Sequence, residues 1–134
     1  MPERKTIQSS GFANTGPADA RTGFQVMLRQ PNYRSLRLSL VEGIDITVDG
    51  QTFPAAGNRV LLEGVEYSHA EMAETTQVRW KVGQCLTVLV PLAGGLAPGI
   101  HEVASLLHLR HPYFPPRFQP ISVPDQRHAT IIVQ

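Results

Sequence analysis

Histidine is the residue type of this sequence with the widest chemical repertoire, because imidazole binds metals and transfers protons near neutral pH. The chain has five, at His69, His101, His108, His111 and His128. A metal site on facing strands of a jelly roll needs a His-x-His pair followed by a glutamate. The stretches His69-Ala70-Glu71 and Pro98-Gly99-Ile100-His101 have the wrong spacing for it. We therefore expect surface or hydrogen-bonded histidines and no metal bound by this chain.

The segment from His108 to Phe118 is the second candidate for chemistry, since it concentrates two His, two Arg, three aromatic residues and three Pro. Directly upstream, alternation predicts one strand face with Val103, Ser105, Leu107 and Leu109, and the opposite face with Glu102, His108 and Arg110. The prolines then end the strand and stiffen the loop after it. Such a segment suits an interface or ligand edge, and it equally suits an ordinary exit loop with its rings tucked under a sheet.

Self-contained enzyme chemistry finds little support elsewhere in the sequence. No Gly-rich loop opens a helix, no Gly-x-Ser-x-Gly elbow occurs, and no two carboxylates have a telling spacing. The single cysteine, Cys85, begins an apolar run and is expected to be a packed thiol without chemistry.

Length and charge predict one globular domain over residues 1–134, with 42% hydrophobic and 17% charged residues. The net charge of +1 comes from scattered residues, so neither nucleic acid nor a membrane is an expected partner. No apolar stretch follows the basic N-terminus, and we expect a cytoplasmic location. The first five residues and Asn14 to Arg21 are the stretches expected to be floppy.

Period-two alternation dominates the chain and predicts an all-β fold, a single antiparallel β-sandwich or jelly-roll-like domain of eight to ten strands. The clearest strand signal runs from Leu36 to Val48, with a bulge or bend expected at Glu42-Gly43. Asp49-Gly50 predicts a two-residue hairpin turn. The further strands are predicted at Phe24 to Leu28, Gln51 to Phe53, Arg59 to Leu62, Val78 to Val82 around a core Trp80, Leu86 to Leu92, Ile100 to Leu109 and Thr130 to Val133. Ser68 and Glu71 predict one capped turn of helix over Ser68 to Thr75.

The order and spacing of several blocks resemble the small beta subunit of bacterial C-glycoside deglycosidases. These blocks are Gly23-Phe24-Gln25-Val26, Tyr33-Arg34-Ser35-Leu36, the run from Leu40 to Gly50, Val78-Arg79-Trp80 and the turn from Leu96 to His101. The likeness extends from about Thr6 to Val133. The stretch from Leu109 to Pro115 resembles an Arg, Tyr and Pro segment of that family, and His111-Pro112 departs from its pattern.

The resemblance implies a heteromeric carbon-carbon lyase that cleaves 3-oxo-C-glucosides of flavonoids and related aromatics. The partner would be a TIM-barrel alpha subunit, in a heterodimer or a higher assembly, that holds a divalent metal, usually manganese. This chain would carry no cofactor, and the barrel would carry most of the chemistry, so we assign no catalytic residue to this chain. We expect Arg110, His111, Tyr113 and Phe114 to form its edge toward substrate and partner. The alternatives are a non-catalytic carbohydrate-binding or assembly sandwich and a degenerate cupin-like metal-binding jelly roll.

Overall fold

A computed structural model describes residues 6–8, 10–17, 19–30, 36–109 and 121–131, with the backbone alone for Ile121. Within these ranges the chain forms eleven strands and one short helix. The strands are β1 (Ala13–Thr15), β2 (Gly23–Arg29), β3 (Leu36–Arg37), β4 (Val41–Val48), β5 (Gln51–Phe53), β6 (Arg59–Leu62), β7 (Val65–Tyr67), β8 (Arg79–Trp80), β9 (Cys85–Pro91), β10 (Gly99–Leu109) and β11 (Ile121–Ile131), and the helix is α1 (His69–Glu74).

The strands form two main sheets, one in the order β1-β2-β9-β6-β7 and one in the order β11-β10-β4-β5. The short strands β3 and β8 pair separately. Every pairing in the described ranges is antiparallel. Apolar residues of both main sheets share one core, and the ring of Phe24 on β2 meets Phe53 on β5 edge-on with 5.2 Å between centroids. The predicted all-β sandwich is confirmed.

The predicted core faces are confirmed where alternation is unbroken. Phe24, Val26 and Leu28 on β2 are fully buried, and the ring of Trp80 is too. The inner face of β4 carries Ile44, Ile46 and Val48, and that of β10 carries Val103, Ser105, Leu107 and Leu109, all buried. The prediction was wrong for Val82, which is 50% exposed because β8 ends at Trp80.

Two local signals produced the predicted structure. Asp49 and Gly50 have φ of 50° and 86° between the paired residues Val48 and Gln51, as the two-residue hairpin requires. The side chain of Ser68 accepts a hydrogen bond from the Glu71 N–H, and the Glu71 carboxylate accepts one from the Ser68 N–H. This capping box starts α1 at His69.

The long strand predicted from Leu36 to Val48 is divided in the structure. Leu36–Arg37 pairs with β8, Leu38–Leu40 is a 3-10 turn, and only Val41–Val48 joins the four-stranded sheet. The predicted bulge is confirmed, because His108 pairs with Gly43 and Leu109 pairs with Val41, which leaves Glu42 as an extra residue. Alternation alone cannot distinguish these elements, since Leu36 in the short strand, Leu38 in the 3-10 turn and Ile44 in β4 are all buried.

One other boundary was wrong. The last strand, predicted from Thr130, begins at Ile121 and includes Pro124. Proline has no backbone N–H, and an edge strand such as β11 tolerates this because one of its two sides has no partner strand. The segment Asn14 to Arg21, predicted to be floppy, contributes Asn14 and Thr15 to β1. The Asn14 amide also bonds both the N–H and the carbonyl of Leu96.

Candidate functional site

The four residues predicted as the substrate and partner edge, Arg110, His111, Tyr113 and Phe114, lie outside the described residues. The structure does fix where their segment begins and ends. Leu109, the last residue of β10, pairs with Ile121, the first residue of β11. The chain from 110 to 120 therefore leaves and re-enters the four-stranded sheet at one end of one ladder.

His108 lies at this end of the sheet and forms a pair with Asp45 of the neighbouring strand. Its Nε2 is 2.9 Å from Asp45 Oδ2, and each side chain is 28% exposed. The register explains the contact, because His108 is opposite Gly43 and Asp45 is the next outward residue along β4. Diagonal neighbours on one sheet face lie within reach of long side chains. Both groups belong to the outer, polar face of the sandwich.

The second oxygen of Asp45 is held independently. Asp45 Oδ1 accepts a hydrogen bond of 2.7 Å from the Ala55 N–H, which begins the 3-10 turn Ala55–Gly57. A carboxylate fixed in this way orients the imidazole and sets its tautomer, as in other His-carboxylate pairs. With Nε2–H donating to Asp45, Nδ1 of His108 is the nitrogen left for proton transfer.

Ser122 of β11 faces that nitrogen from the other side. It pairs with His108 across the ladder, and its Oγ is 3.4 Å from Nδ1, long for a hydrogen bond from a hydroxyl. The order Ser122, His108, Asp45 imitates a hydrolase triad, but Ser122 is exposed on a strand rather than on a sharp nucleophile turn. The arrangement therefore lacks the features of a nucleophile site, and what remains is the hydrogen-bonded pair of His108 with Asp45, which we call the dyad.

Gly43 lies beside the dyad on β4, at a position where neighbouring residues leave little room for a side chain. A Cβ at Gly43 would lie 2.8 Å from the Ala55 Cβ and 3.2 Å from the His69 Cε1, so these two residues occupy the space. His69 Nδ1 is buried there without a hydrogen-bond partner in the part of the chain that the structure describes. This nitrogen of His69 is thus packed against other atoms rather than hydrogen-bonded.

An open groove adjoins the dyad on the same face. Its lining includes Thr47, Ala104, Leu106, Pro124 and Gln126. Leu106 precedes His108 by two residues on the same face, and the pair Leu106 with Pro124 is followed along the ladder by the pair His108 with Ser122. The imidazole is not part of the lining and lies about 7 Å along the strand from Leu106.

His101 forms a different pair at the opposite end of β10. Its Nδ1 is 2.6 Å from Asp49 Oδ2 and its Nε2 is 2.6 Å from the Ala97 carbonyl oxygen. Burial disfavours the charged ring, but these two acceptors outweigh it and raise the pKa of His101 above its ordinary value. The hydrogen bond from His101, with a second from the Glu102 N–H, lowers the pKa of Asp49. Since both ring nitrogens are engaged, this pair fastens the hairpin turn to the segment before β10.

The remaining candidates from the sequence are a metal site and the thiol of Cys85. No group of three or more His, Cys, Asp and Glu side chains there is arranged to hold a metal ion. Cys85 is partly buried, and burial raises the pKa of its thiol, although the positive Arg29 opposes this. A packed thiol is what the sequence predicted. Among the described helices, none is long and apolar enough to cross a membrane.

Sequence reasoning placed His108 on the correct face and missed its partners. Asp45 and Ser122 lie 63 and 14 residues from it, and their proximity depends on strand register. Asp49 was recognised only as a turn residue. The available signal was that Asp45 alternates onto the polar face of its strand, which identifies the face but not the neighbour.

Comparison with known proteins identifies the family. The family model for the C-glycoside deglycosidase beta subunit matches residues 2–113, a range that includes Asp45 and His108. A C-glycoside deglycosidase beta subunit from Eubacterium cellulosolvens is 31% identical over 92% of this chain and 85% of its own length. The 3'-dehydrocarminate deglycosidase beta subunit of a Microbacterium species is 34% identical over 92% of this chain and 88% of its own.

A third relative, a C-glycoside deglycosidase beta subunit from Arthrobacter globiformis, is 39% identical over 52% of this chain and 53% of its own length. The family match spans most of the chain, and two of the relatives align over nearly all of it. This chain belongs to the C-glycoside deglycosidase beta subunit family.

Proposed function

We propose that this chain is the small subunit of a carbon-carbon lyase that cleaves the C-glycosidic bond of aromatic 3-oxo-C-glucosides. The observation that carries the proposal is the family match over residues 2–113. The name of the Microbacterium relative supports the oxidised substrate, because it specifies a 3'-dehydro compound. The proposed substrates are C-glucosides of flavonoids and related aromatics, oxidised beforehand at the sugar 3-hydroxyl by a separate enzyme.

The chemistry explains why oxidation must come first. A C-glycosidic bond has no leaving oxygen to protonate, so ordinary glycosidase acid catalysis fails. A keto group at C3 acidifies the neighbouring C2–H, and loss of that proton allows β-elimination across C1 and C2. The bond from C1 to the aryl carbon then breaks, and the aryl carbon must gain a proton to leave as the free aglycone.

A partner subunit is part of the proposal, since the relatives are themselves named beta subunits. We propose a TIM-barrel alpha subunit that holds a divalent metal, manganese, which would stabilise the enediolate formed at C2 and C3. The described residues of this chain do not fit a metal site, so we assign the ion to the partner. The complex is proposed to work in the cytoplasm, where the unpaired Cys85 stays reduced.

The contribution of this chain would be an edge of the shared active site. That edge would combine the segment with Arg110, His111, Tyr113 and Phe114 with the dyad and groove beside it. A second chain that closes over the barrel mouth excludes water and holds the aromatic ring in place. The proposed site therefore lies at the end of the β10–β11 ladder.

The first test of the proposal is co-purification of this chain with a barrel protein encoded beside it. The complex is then assayed on a flavonoid C-glucoside with and without prior oxidation at the sugar 3-hydroxyl. We expect the complex to cleave only the oxidised compound, and the isolated chain to cleave neither and to contain no tightly bound metal. Carbohydrate binding without any lyase partner would instead support a non-catalytic sandwich. One equivalent of metal in the isolated chain would support the cupin-like alternative.

A further inference from the structure

We propose that His108 is the proton donor to the aryl carbon when the C-glycosidic bond breaks, with Asp45 as its positioning residue. This inference rests on the proposed function and assigns one step of it to a named atom, Nδ1 of His108. The step needs an acid close to the aryl carbon. This acid differs in chemistry and in position from the base that removes the C2 proton. Among the described residues of this chain, we assign the role of this acid to the His108–Asp45 dyad.

The geometry supplies the orientation of the ring. Asp45 receives the Nε2–H at 2.9 Å and is itself fixed by the Ala55 N–H at 2.7 Å. An imidazolium ring donates from both nitrogens, so with Nε2 directed at Asp45 it is Nδ1 that presents the proton to be donated. Ser122 Oγ, 3.4 Å from Nδ1, makes at most a weak bond that an incoming aryl group can displace.

The surface beside Nδ1 suits the group that must receive the proton. Ala104, Leu106 and Pro124 give an open groove a mainly apolar surface, although Thr47, Asp125 and Gln126 also line it, and His108 lies one step along the ladder beyond Leu106. A flat aromatic ring lying on Leu106 and Pro124 could reach the imidazole with one edge, because Leu106 and His108 are about 7 Å apart along the strand. The groove therefore favours the aglycone over the sugar as the group that faces His108.

The step balances in atoms and electrons. A base of the partner removes the C2 proton, and that electron pair becomes the C1–C2 double bond through the enolate of the 3-ketone. The C1–aryl bond breaks with its electron pair on the aryl carbon, which forms a C–H bond with the Nδ1 proton. One proton has left C2 and one has reached the aglycone, and the cycle closes when the base releases its proton to solvent and the neutral His108 takes one up from solvent.

The test compares two 3-oxo-glucosides that differ in their need for a proton, using the assembled complex. A flavonoid C-glucoside requires protonation of its leaving carbon, whereas a 4-nitrophenyl O-glucoside releases a stable phenolate without it. For His108→Gln we expect kcat on the C-glucoside to fall by about 100-fold or more, within the usual range for loss of a general acid or base. The O-glucoside should change by less than about threefold.

Asp45→Asn provides the second variant and should lower only the C-glucoside rate, by about tenfold, since the imidazole keeps its place but loses its stabilising charge. His128→Gln is the matched control, because His128 is exposed on the same sheet face, on β11. It should leave both rates unchanged. Association with the partner is measured for each variant by size-exclusion chromatography.

Three results would overturn the inference. An unchanged C-glucoside rate in His108→Gln removes the residue from the reaction. An equal fall on both substrates shows a structural or docking role instead of proton donation. Loss of assembly in His108→Gln, together with normal C-glucoside turnover by Asp45→Asn, removes the dyad as a functional unit. Failure of the wild-type complex to cleave either oxidised substrate would instead reject the proposed function itself.

Discussion

Gly43 lies directly across the β4–β10 ladder from His108, and the volume where its side chain would begin is already filled by Ala55 and His69. The absence of a side chain at this position allows the 3-10 turn and α1 to pack against the sheet. The same turn supplies the N–H that fixes Asp45. The packing at Gly43 and the orientation of His108 are thus linked through one short segment.

Gly43→Ala should therefore destabilise the fold by about 1 to 3 kcal/mol, the usual cost of overpacking a filled site. The added methyl would lie 2.8 Å from the Ala55 Cβ, so the 3-10 turn must shift. Gly57→Ala is the control, because a methyl group at Gly57 would have no atom within 4 Å and the φ of Gly57 is not positive. Denaturant melts of both variants measure the difference. Equal stabilities would show that the turn moves aside freely.

Trp80→Ala should destabilise the isolated chain by about 3 to 5 kcal/mol, the usual effect of removing a large buried aromatic side chain. The ring is fully buried, and its Nε1–H donates a 2.8 Å hydrogen bond to the Gln84 carbonyl. Arg79→Ala, at the exposed neighbouring residue, should lower the free energy of unfolding by less than about 0.5 kcal/mol. Chemical denaturation gives both values. A loss below about 1 kcal/mol for Trp80→Ala would contradict the core position of the ring.

The pair of His101 and Asp49 should make stability depend on pH. The pKa of His101 is raised on folding, so its contribution is complete below the unfolded value of about 6.5 and is lost as pH rises through the folded value. The pKa of Asp49 lies below its ordinary 3.8, so its contribution is present above that value and is lost as pH falls through the folded value. The pair therefore stabilises most between about pH 4 and pH 6.5.

His101→Gln tests this dependence, because it removes the titrating ring and keeps one amide donor. We expect the difference in denaturation midpoint between wild type and variant to be largest near pH 6 and to shrink toward about pH 9. His128, whose charge also acts on Asp49, is changed to Gln as the control and should have a much smaller effect. A midpoint difference that does not vary with pH would show that His101 acts through packing alone, against Phe12.

Tyr113→Ala should lower turnover of the oxidised C-glucoside by at least about tenfold, equal to about 1.4 kcal/mol of transition-state stabilisation. Tyr113 lies outside the described residues, in the segment that joins β10 to β11. Titration of the variant against a fixed amount of barrel subunit separates the two roles predicted for it. A docking contact would raise the dissociation constant and leave the saturated rate alone, and Tyr113→Phe isolates the hydroxyl. Wild-type affinity with a wild-type plateau would exclude Tyr113 from the edge.

The sequence by itself determined the features that short stretches of chain specify. The turn at Asp49-Gly50 follows from the φ values that a two-residue hairpin requires, and α1 begins where Ser68 and Glu71 cap each other. Alternation identified the buried faces of β2 and β10, because side chains on a strand repeat every two residues. The order of these blocks along the chain was also sufficient to indicate the family.

Only the tertiary structure decided which polar residues meet. Asp45 reaches His108 because β4 pairs with β10 in a register shifted at Glu42, and a shift of one residue would turn one of the two side chains toward the core. The strand through Pro124 was also hidden, since its place at the edge of the sheet, where a missing N–H is tolerated, depends on the order of the strands in the sheet. Local rules fix backbone conformation and the buried face of each strand. The neighbours across a sheet are fixed by long-range pairing, which single-chain periodicity does not encode.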